Sequence, residues 1–415
     1  MELTEITLNG YYTLILATIV LLVGQFLVKK IKFLADFNIP EPVAGGLLAA
    51  AIIYFLNHQY GYIFNIQKEL QTACMLMFFS SIGLSADFRR LKAGGMPLVI
   101  LTVLVGFFLL VQNGVGVALA SMLGLDPIMG LVAGSISLIG GHGTAGAWGA
   151  TLENNYGVTG AVTMGIAAAT YGLVAGGLVG GPVAKRLIKK MNIQATVTNT
   201  NKSDSSDDAN NTVFEKSDSV RLITAVSAVE TLALFAVCLV AADYMSGVAK
   251  DIEWLAQLKV PTFVWALGTG VILRNVLTSI FNFDMFDRAI DVFGNASLSL
   301  FLAMALMSLK LWELADLAGP LVIILGVQTI VMIVFAYFIT FRIMGKNYDA
   351  AVLAAGHCGF GMGATPTAVA NMQAITDRYG ASHKAFLIIP MVGAFFVDLM
   401  NLVVLQGFLV LPFMR

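Results

Sequence analysis

Apolar runs of about 20 residues, the length that crosses a hydrocarbon core, recur along this chain. They lie at about 11–28, 40–57, 70–87, 97–122, 158–184, 220–243, 261–280, 291–309, 319–341 and 385–413. Backbone surrounded by lipid must satisfy its own N–H and C=O groups, which leaves helices or a closed barrel. Runs this long are helical spans, since a barrel strand needs only about ten residues. Charge agrees: 12% of the 415 residues are charged, where a soluble domain carries about 25%. The formal net charge of −1 offers no basic surface for nucleic acid. Cys74, Cys238 and Cys358 are odd in number and set apart in apolar runs. They suit neither a disulfide framework nor a metal site and read as small buried hydrophobes. The first run has no basic residue before it and Lys29, Lys30 and Lys32 after it. That is the wrong polarity for a cleavable signal and predicts a span whose N-terminus lies outside.

Two apolar segments resist this description. About 127–150 contains Ser135-Ile-Ser137-Leu-Ile-Gly140-Gly141-His142-Gly143-Thr144, and about 349–373 contains Gly356-His357-Cys358-Gly359-Phe-Gly361-Met-Gly363-Ala-Thr365-Pro366-Thr367. Each glycine costs a helix about 1 kcal/mol against alanine, so a lipid-facing helix gains nothing from them. Non-helical backbone at membrane depth survives only under a cover of protein or beside a watery cavity. The two segments therefore predict re-entrant hairpins that face each other across one binding site.

Around them the chain reads as a duplication. At a constant offset of 223 residues, Pro97-Leu-Val-Ile100 matches Pro320-Leu-Val-Ile323, Gly140 meets Gly363, Thr144-Ala145 meets Thr367-Ala368, and Tyr156-Gly157 meets Tyr379-Gly380. A polar stretch at 191–219, rich in Asn, Ser, Thr and Asp, separates 1–190 from 220–415 and reads as a flexible cytoplasmic linker. With five spans per half, an odd number, the halves lie in the membrane in opposite senses. The expected class is thus an all-α polytopic membrane protein of two inverted repeats, each of five transmembrane helices and one glycine-rich hairpin. Of the 24 lysines and arginines this arrangement leaves only Lys68, Lys250, Lys259, Lys310 and Arg415 outside, as the positive-inside rule asks. Inverted repeats with broken helices are a signature of secondary transporters. A channel and a membrane enzyme are the alternatives, but no soluble-enzyme motif survives its context and no catalytic residue is expected.

At the hairpins, Ser135, Ser137, Gly140, Gly141, Thr144, Gly361, Gly363, Thr365, Thr367 and, further along, Asn371 are the candidate substrate contacts. Glycine lets backbone approach a ligand, and N–H groups at a half-helix start attract anions. Small-residue helix packing is the competing account. Asp398 and Asn401, three residues apart on one helical face in the last span, suit a hard cation such as sodium, with Gly359 and Ser297 as further candidate ligands. A structural hydrogen bond or a proton relay through Asp398 are the other readings. His142 and His357 lack metal-ligand spacing and read as hydrogen-bonding groups at helix breaks. Gln112-Asn113 reads equally as interhelical glue or ligand contact, and Arg274 is placed near a span end.

Several of these stretches carry a resemblance. Ile39-Pro-Glu-Pro-Val-Ala-Gly-Gly46, Ser137 to Thr144, Ser297 to Met307, and Gly345-Lys-Asn-Tyr-Asp349 with Gly356 to Thr367 resemble the bacterial glutamate:sodium symporter family over nearly the whole chain, fading at 191–219. That resemblance implies sodium-coupled uptake of L-glutamate across the bacterial inner membrane, no cofactor beyond the coupling ion, a homodimer in the lipid bilayer, and an elevator-like motion. In that motion the domain bearing both hairpins slides against a scaffold formed by the first spans of each half. A symporter for another small organic anion, coupled to protons or sodium, is the alternative.

Overall fold

The computed structural model describes residues 4–36, 39–190, 222–256, 259–309 and 317–414. The polar stretch at 191–219, with Lys310 and Arg415, lies outside them. The described chain is mostly helical. Its main helices are α1 (Gly10–Lys30), α2 (Glu41–Tyr60), α3 (Lys68–Ser85), α4 (Phe88–Met122), α5 (Pro127–Leu131), α6 (Gly141–Tyr156), α7 (Ala161–Lys190), α8 (Ala225–Asp251) and α9 (Thr262–Ser279). They continue with α10 (Asp287–Met307), α11 (Ala318–Phe335), α12 (Tyr348–Met362), α13 (Thr365–Tyr379), α14 (His383–Met391) and α15 (Val397–Leu409). Among the described residues, six stretches are long and apolar enough to cross a membrane: Gly10–Lys30, Gly95–Met122, Ala161–Lys190, Ala225–Asp251, Asp287–Met307 and Ala318–Ile343.

Local chemistry sets the helix ends. Proline, whose missing N–H costs nothing in a first turn, stands at the starts of α2 and α9 as Pro40 and Pro261. Thr224 and Ser227 close a reciprocal capping box on α8. Gly61 and Gly157 take left-handed dihedrals that end α2 and α6. Gly95, at φ 61°, kinks α4 just before Pro97. One departure from the expected all-α class is a two-stranded parallel sheet, β1 (Thr4–Thr7) with β2 (Tyr62–Asn65), in register Thr4↔Tyr62. Both strands lie outside the apolar runs, where helical periodicity carries no information.

The helices pack as two bodies. In one, α1 lies on α2, α8 on α9, and α10 on α2 and α3, while α3 packs on α9. The α1–α2 crossing is backbone to backbone, since a Cβ on Gly45 would overlap the Val20 carbonyl oxygen. In the other, α4 packs on α5 and α11, and α7 packs on α6, α12 and α13. The bodies meet where α6 rests on α10, with Phe78, Leu298 and Phe301 against Gly143 and Gly146. A cavity of about 1320 Å³ opens beside this contact, lined by groups from both bodies including Asn57, Glu69, Glu153 and Ser308.

Chain passes from the first body to the second after α3, and buried polar chemistry anchors that junction. Arg274, expected near a span end, lies toward the end of α9 and is buried there. It donates to Asp87 at 3.3 Å and to Asp287, while Asn275 donates to the Ala86 carbonyl at 2.8 Å and accepts from the Phe88 N–H at 3.0 Å. A guanidinium here is explained by two carboxylates, Asp287 from the start of the next helix and Asp87 from distant sequence.

Gly45→Ala is expected to destabilise the protein by about 1–3 kcal/mol through overpacking. Gly247→Ala, with nothing within 4 Å of the new methyl, leaves stability unchanged or raises it by up to about 1 kcal/mol. Thermal melting in detergent checks both.

Candidate functional site

Both glycine-rich segments are helix–break–helix. In the first, α5 runs into a wider π-helical turn, Val132–Ile136, with non-helical Gly134, and α6 starts anew at Gly141, whose φ of 66° excludes most side chains. In the second, α12 stops at Met362, Gly363 adopts φ −136° and ψ −100°, and α13 starts at Thr365. The second helices extend past the expected limits, to Tyr156 and Tyr379, each followed by a positive-φ glycine, Gly157 and Gly380. The two breaks meet: a Cβ on Gly141 would stand 4.0 Å from the Gly363 carbonyl oxygen.

Three elements hold the breaks in place. On α7, Gly172, Gly176 and Gly180 stand one turn apart. A Cβ on Gly172 would overlap the Met362 carbonyl oxygen, and one on Gly176 would lie 3.1 Å from that of Gly359. The second segment thus lies directly on α7 backbone. On α4, adjacent residues reach one break each: Gln112 Nε2 donates to the Gly361 carbonyl at 3.2 Å, and Asn113 Oδ1 accepts from the Ser135 N–H at 3.0 Å. On α15, Asn401 pairs twice with Ser135, accepting from its hydroxyl at 2.6 Å and donating to its carbonyl at 3.1 Å.

The candidate residues divide accordingly. Ser135, Gly140, Gly141, Gly361, Gly363, Thr365 and Thr367 lie at the breaks, with the Thr367 hydroxyl buried and without a hydrogen-bond partner. Thr144 packs its side chain against Gly140. Ser137 donates to the Val132 carbonyl at 2.6 Å, within the π-helical turn. Asn371 is engaged elsewhere, its Nδ2 donating to the Gly176 carbonyl at 2.8 Å, so it fastens α13 to α7. Gly359 is a packing position, where a Cβ would overlap Ala368 backbone. Asp398 sits one turn before Asn401 on α15, with no hydrogen-bond or ion-pair partner among the described residues. Ser297 stands apart on α10, where it donates to Phe293 of its own helix at 2.8 Å, and no hydrogen bond joins it to Asp398 or Asn401. Among the described residues no group of three or more His, Cys, Asp or Glu side chains gathers for a metal ion.

The histidines find threonine hydroxyls rather than freed carbonyls. His142 Nε2 lies 3.0 Å from Thr170 Oγ1 on α7, and His357 Nδ1 lies 2.9 Å from Thr340 Oγ1. The His357 ring is boxed by Phe108, Phe335 and Phe360. Gln328 on α11 was not anticipated. Buried beside α4, it donates from Nε2 to the Gln112 carbonyl at 2.7 Å. Its signal was available, an uncharged polar residue in an otherwise apolar span, but nothing in the sequence points it at Gln112.

No side chain caps α6 or α13 at its start. Their first N–H groups, carrying partial positive charge, are left at the place where the two breaks meet. Neutral amides and hydroxyls surround them. Uncapped helix starts of this kind favour negative charge.

The family profile for sodium/glutamate symporters matches residues 6–381. A sodium/glutamate symporter from Haemophilus influenzae is 51% identical over 400 residues, covering 96% of this chain and 97% of that protein. One from Escherichia coli strain K12 is 51% identical over 409 residues, covering 98% of each.

Asn401→Leu strips the Ser135 hydroxyl and carbonyl of their partner inside the protein. Stability is expected to fall by about 1–3 kcal/mol, whereas Val403→Ala on the exposed side of α15 changes it by less than about 0.5 kcal/mol. Melting curves of the two variants in detergent provide the check.

Proposed function

Because the chain belongs to the sodium/glutamate symporter family, we propose that it carries L-glutamate with sodium across the bacterial inner membrane by alternating access. The observation that carries this reading is the meeting of two uncapped helix starts, one from each glycine-rich segment. Glutamate presents two carboxylates, and each helix start offers backbone N–H groups to one of them. The hydroxyls of Ser135, Thr144, Thr365 and Thr367 add neutral donors and acceptors. No arginine is needed at the breaks to neutralise the substrate, and the one buried in α9 is already spent on Asp87 and Asp287.

The transport cycle follows from the two bodies. In this reading the halves 1–190 and 220–415 are inverted repeats of five spans, with the N-terminus outside and the linker 191–219 in the cytoplasm. The helix–break–helix segments are re-entrant hairpins entering from opposite sides. Matching pairs support it: α1 on α2 corresponds to α8 on α9, and both segments end at a Tyr-Gly pair. The body with the breaks moves as an elevator against the body of α1–α3 and α8–α10. The cavity between the bodies is lined by chain that this topology places at outer helix ends. A homodimer would hold the first body still, and that body carries uncovered apolar side chains such as Leu22, Phe26, Val229 and Val240.

The test is uptake of labelled L-glutamate by proteoliposomes holding the purified protein. Accumulation against a glutamate gradient is expected under an inward sodium gradient, and its loss when the gradient is collapsed. Uptake that ignores sodium, or no glutamate uptake alongside uptake of another organic anion, overturns the assignment.

A further inference from the structure

Gln112, Asn113 and Gln328 are all fully buried. Carboxamide oxygen and nitrogen are told apart by their partners, and here the partners are backbone groups with a single role each. Gly361 and Gln112 carbonyls can only accept, so Gln112 and Gln328 must turn their nitrogens toward them. The Ser135 N–H can only donate, so Asn113 turns its oxygen to it. What remains is therefore fixed: Oε1 of Gln112 and Oε1 of Gln328, two buried acceptors without a hydrogen-bond donor, and Nδ2 of Asn113, a donor without an acceptor. Buried polar groups in folded proteins find partners, and exceptions call for an explanation.

We propose that the Gln112 and Gln328 carboxamide oxygens are ligands of the coupling sodium ion, bound between α4 and α11 beside the second break. The proposal rests on the sodium-coupled reading above and assigns that ion to residues outside the pair Asp398 and Asn401. Hard cations take oxygen ligands, and both glutamine oxygens lack the competing N–H that would otherwise occupy them. Asn401 is a poorer candidate, because its oxygen already accepts from the Ser135 hydroxyl and its nitrogen donates to the Ser135 carbonyl. The site also explains coupling. An ion on Gln112 Oε1 steadies the amide that holds Gly361, and the next residue, Asn113, holds Ser135. One ion thereby sets both breaks, and both uncapped helix starts, before glutamate arrives.

Two readouts test this on the full-length purified protein. The first is thermal melting in sodium chloride against choline chloride at equal ionic strength, without glutamate. The second is the sodium concentration giving half-maximal glutamate binding. Wild type is expected to melt higher in sodium. Gln328→Leu is expected to lose that stabilisation and to need roughly tenfold more sodium, with glutamate affinity at saturating sodium preserved. Gln328→Glu is the deciding variant: it keeps an oxygen but cannot donate to the Gln112 carbonyl when ionised, so it should retain the sodium response. Gln328→Met serves in place of Gln328→Leu if the leucine variant does not fold. If Gln328→Glu fails as Gln328→Leu does, the hydrogen bond to Gln112 matters and the ligand assignment is wrong. An unchanged sodium requirement in Gln328→Leu overturns it equally. Glutamate binding by wild type that needs no sodium would instead overturn the transport reading, and this assignment with it.

Discussion

Helical backbone carries its own hydrogen bonds, but where a helix breaks inside a bilayer the freed N–H and C=O groups have no water to turn to. Both glycine-rich segments of this protein break among packed helices, and most of the second body follows from covering them. α7 gives up side chains at Gly172, Gly176 and Gly180 so that its backbone can lie against Met362 and Gly359. α4 sends Gln112 and Asn113 to opposite breaks, and α15 sends Asn401 to Ser135. These contacts satisfy carbonyls and N–H groups near the breaks, yet leave the starts of α6 and α13 uncapped. Satisfying everything would give a stable protein with nothing left to bind a substrate.

The first body has different physics. Its helices cross by close backbone approach, as at Gly45 on Val20 and Gly83 on Leu267, and its polar chemistry is concentrated at the Arg274 cluster near the chain's exit into α4. Tight, apolar crossings resist deformation. Contact with the second body runs instead over small residues, Gly143 and Gly146, against Phe78, Leu298 and Phe301. Beyond these glycines the seam holds a buried aromatic pair, Trp148 edge-on to Phe263, and Lys259 donating to the Asn155 carbonyl at 2.9 Å.

Much of this was legible in the residues. Pro40 and Pro261 marked helix starts and the glycine-dense segments marked the breaks, because each is a local backbone requirement; Tyr156-Gly157 and Tyr379-Gly380, read only as repeat matches, are where the second helices end, beyond the expected limits. Side-chain destinations were not legible. Asn401 was read toward a cation or a structural hydrogen bond and Asn371 toward substrate; the first pairs with Ser135 and the second with Gly176, partners more than a hundred residues away in each case that the residues alone do not name. Ser297, in the run at 291–309, was grouped with Asp398 on chemistry alone, and its hydroxyl donates to the Phe293 carbonyl of its own helix. The β1–β2 pair escaped notice because a four-residue strand is shorter than any period it could display.

The same distinction decides how polar residues in such a protein should be weighed. An isolated Gln in a span, such as Gln328, is uninformative alone, since a buried amide can serve as glue. It becomes informative once one end is tied to a backbone group, because the other end is then forced to be acceptor or donor. At Gln112 and Gln328 the tied end is the nitrogen, leaving oxygens; at Asn113 the tied end is the oxygen, leaving a donor. Adjacent residues on α4 thus expose opposite chemistries beside two breaks whose helix starts favour anions. A cation and an anion can then be bound side by side with no formal charge on these three side chains, and each ion lowers the cost of burying the other. Coupling of this kind needs no transmitted motion: the site is electrostatically incomplete with either ion alone.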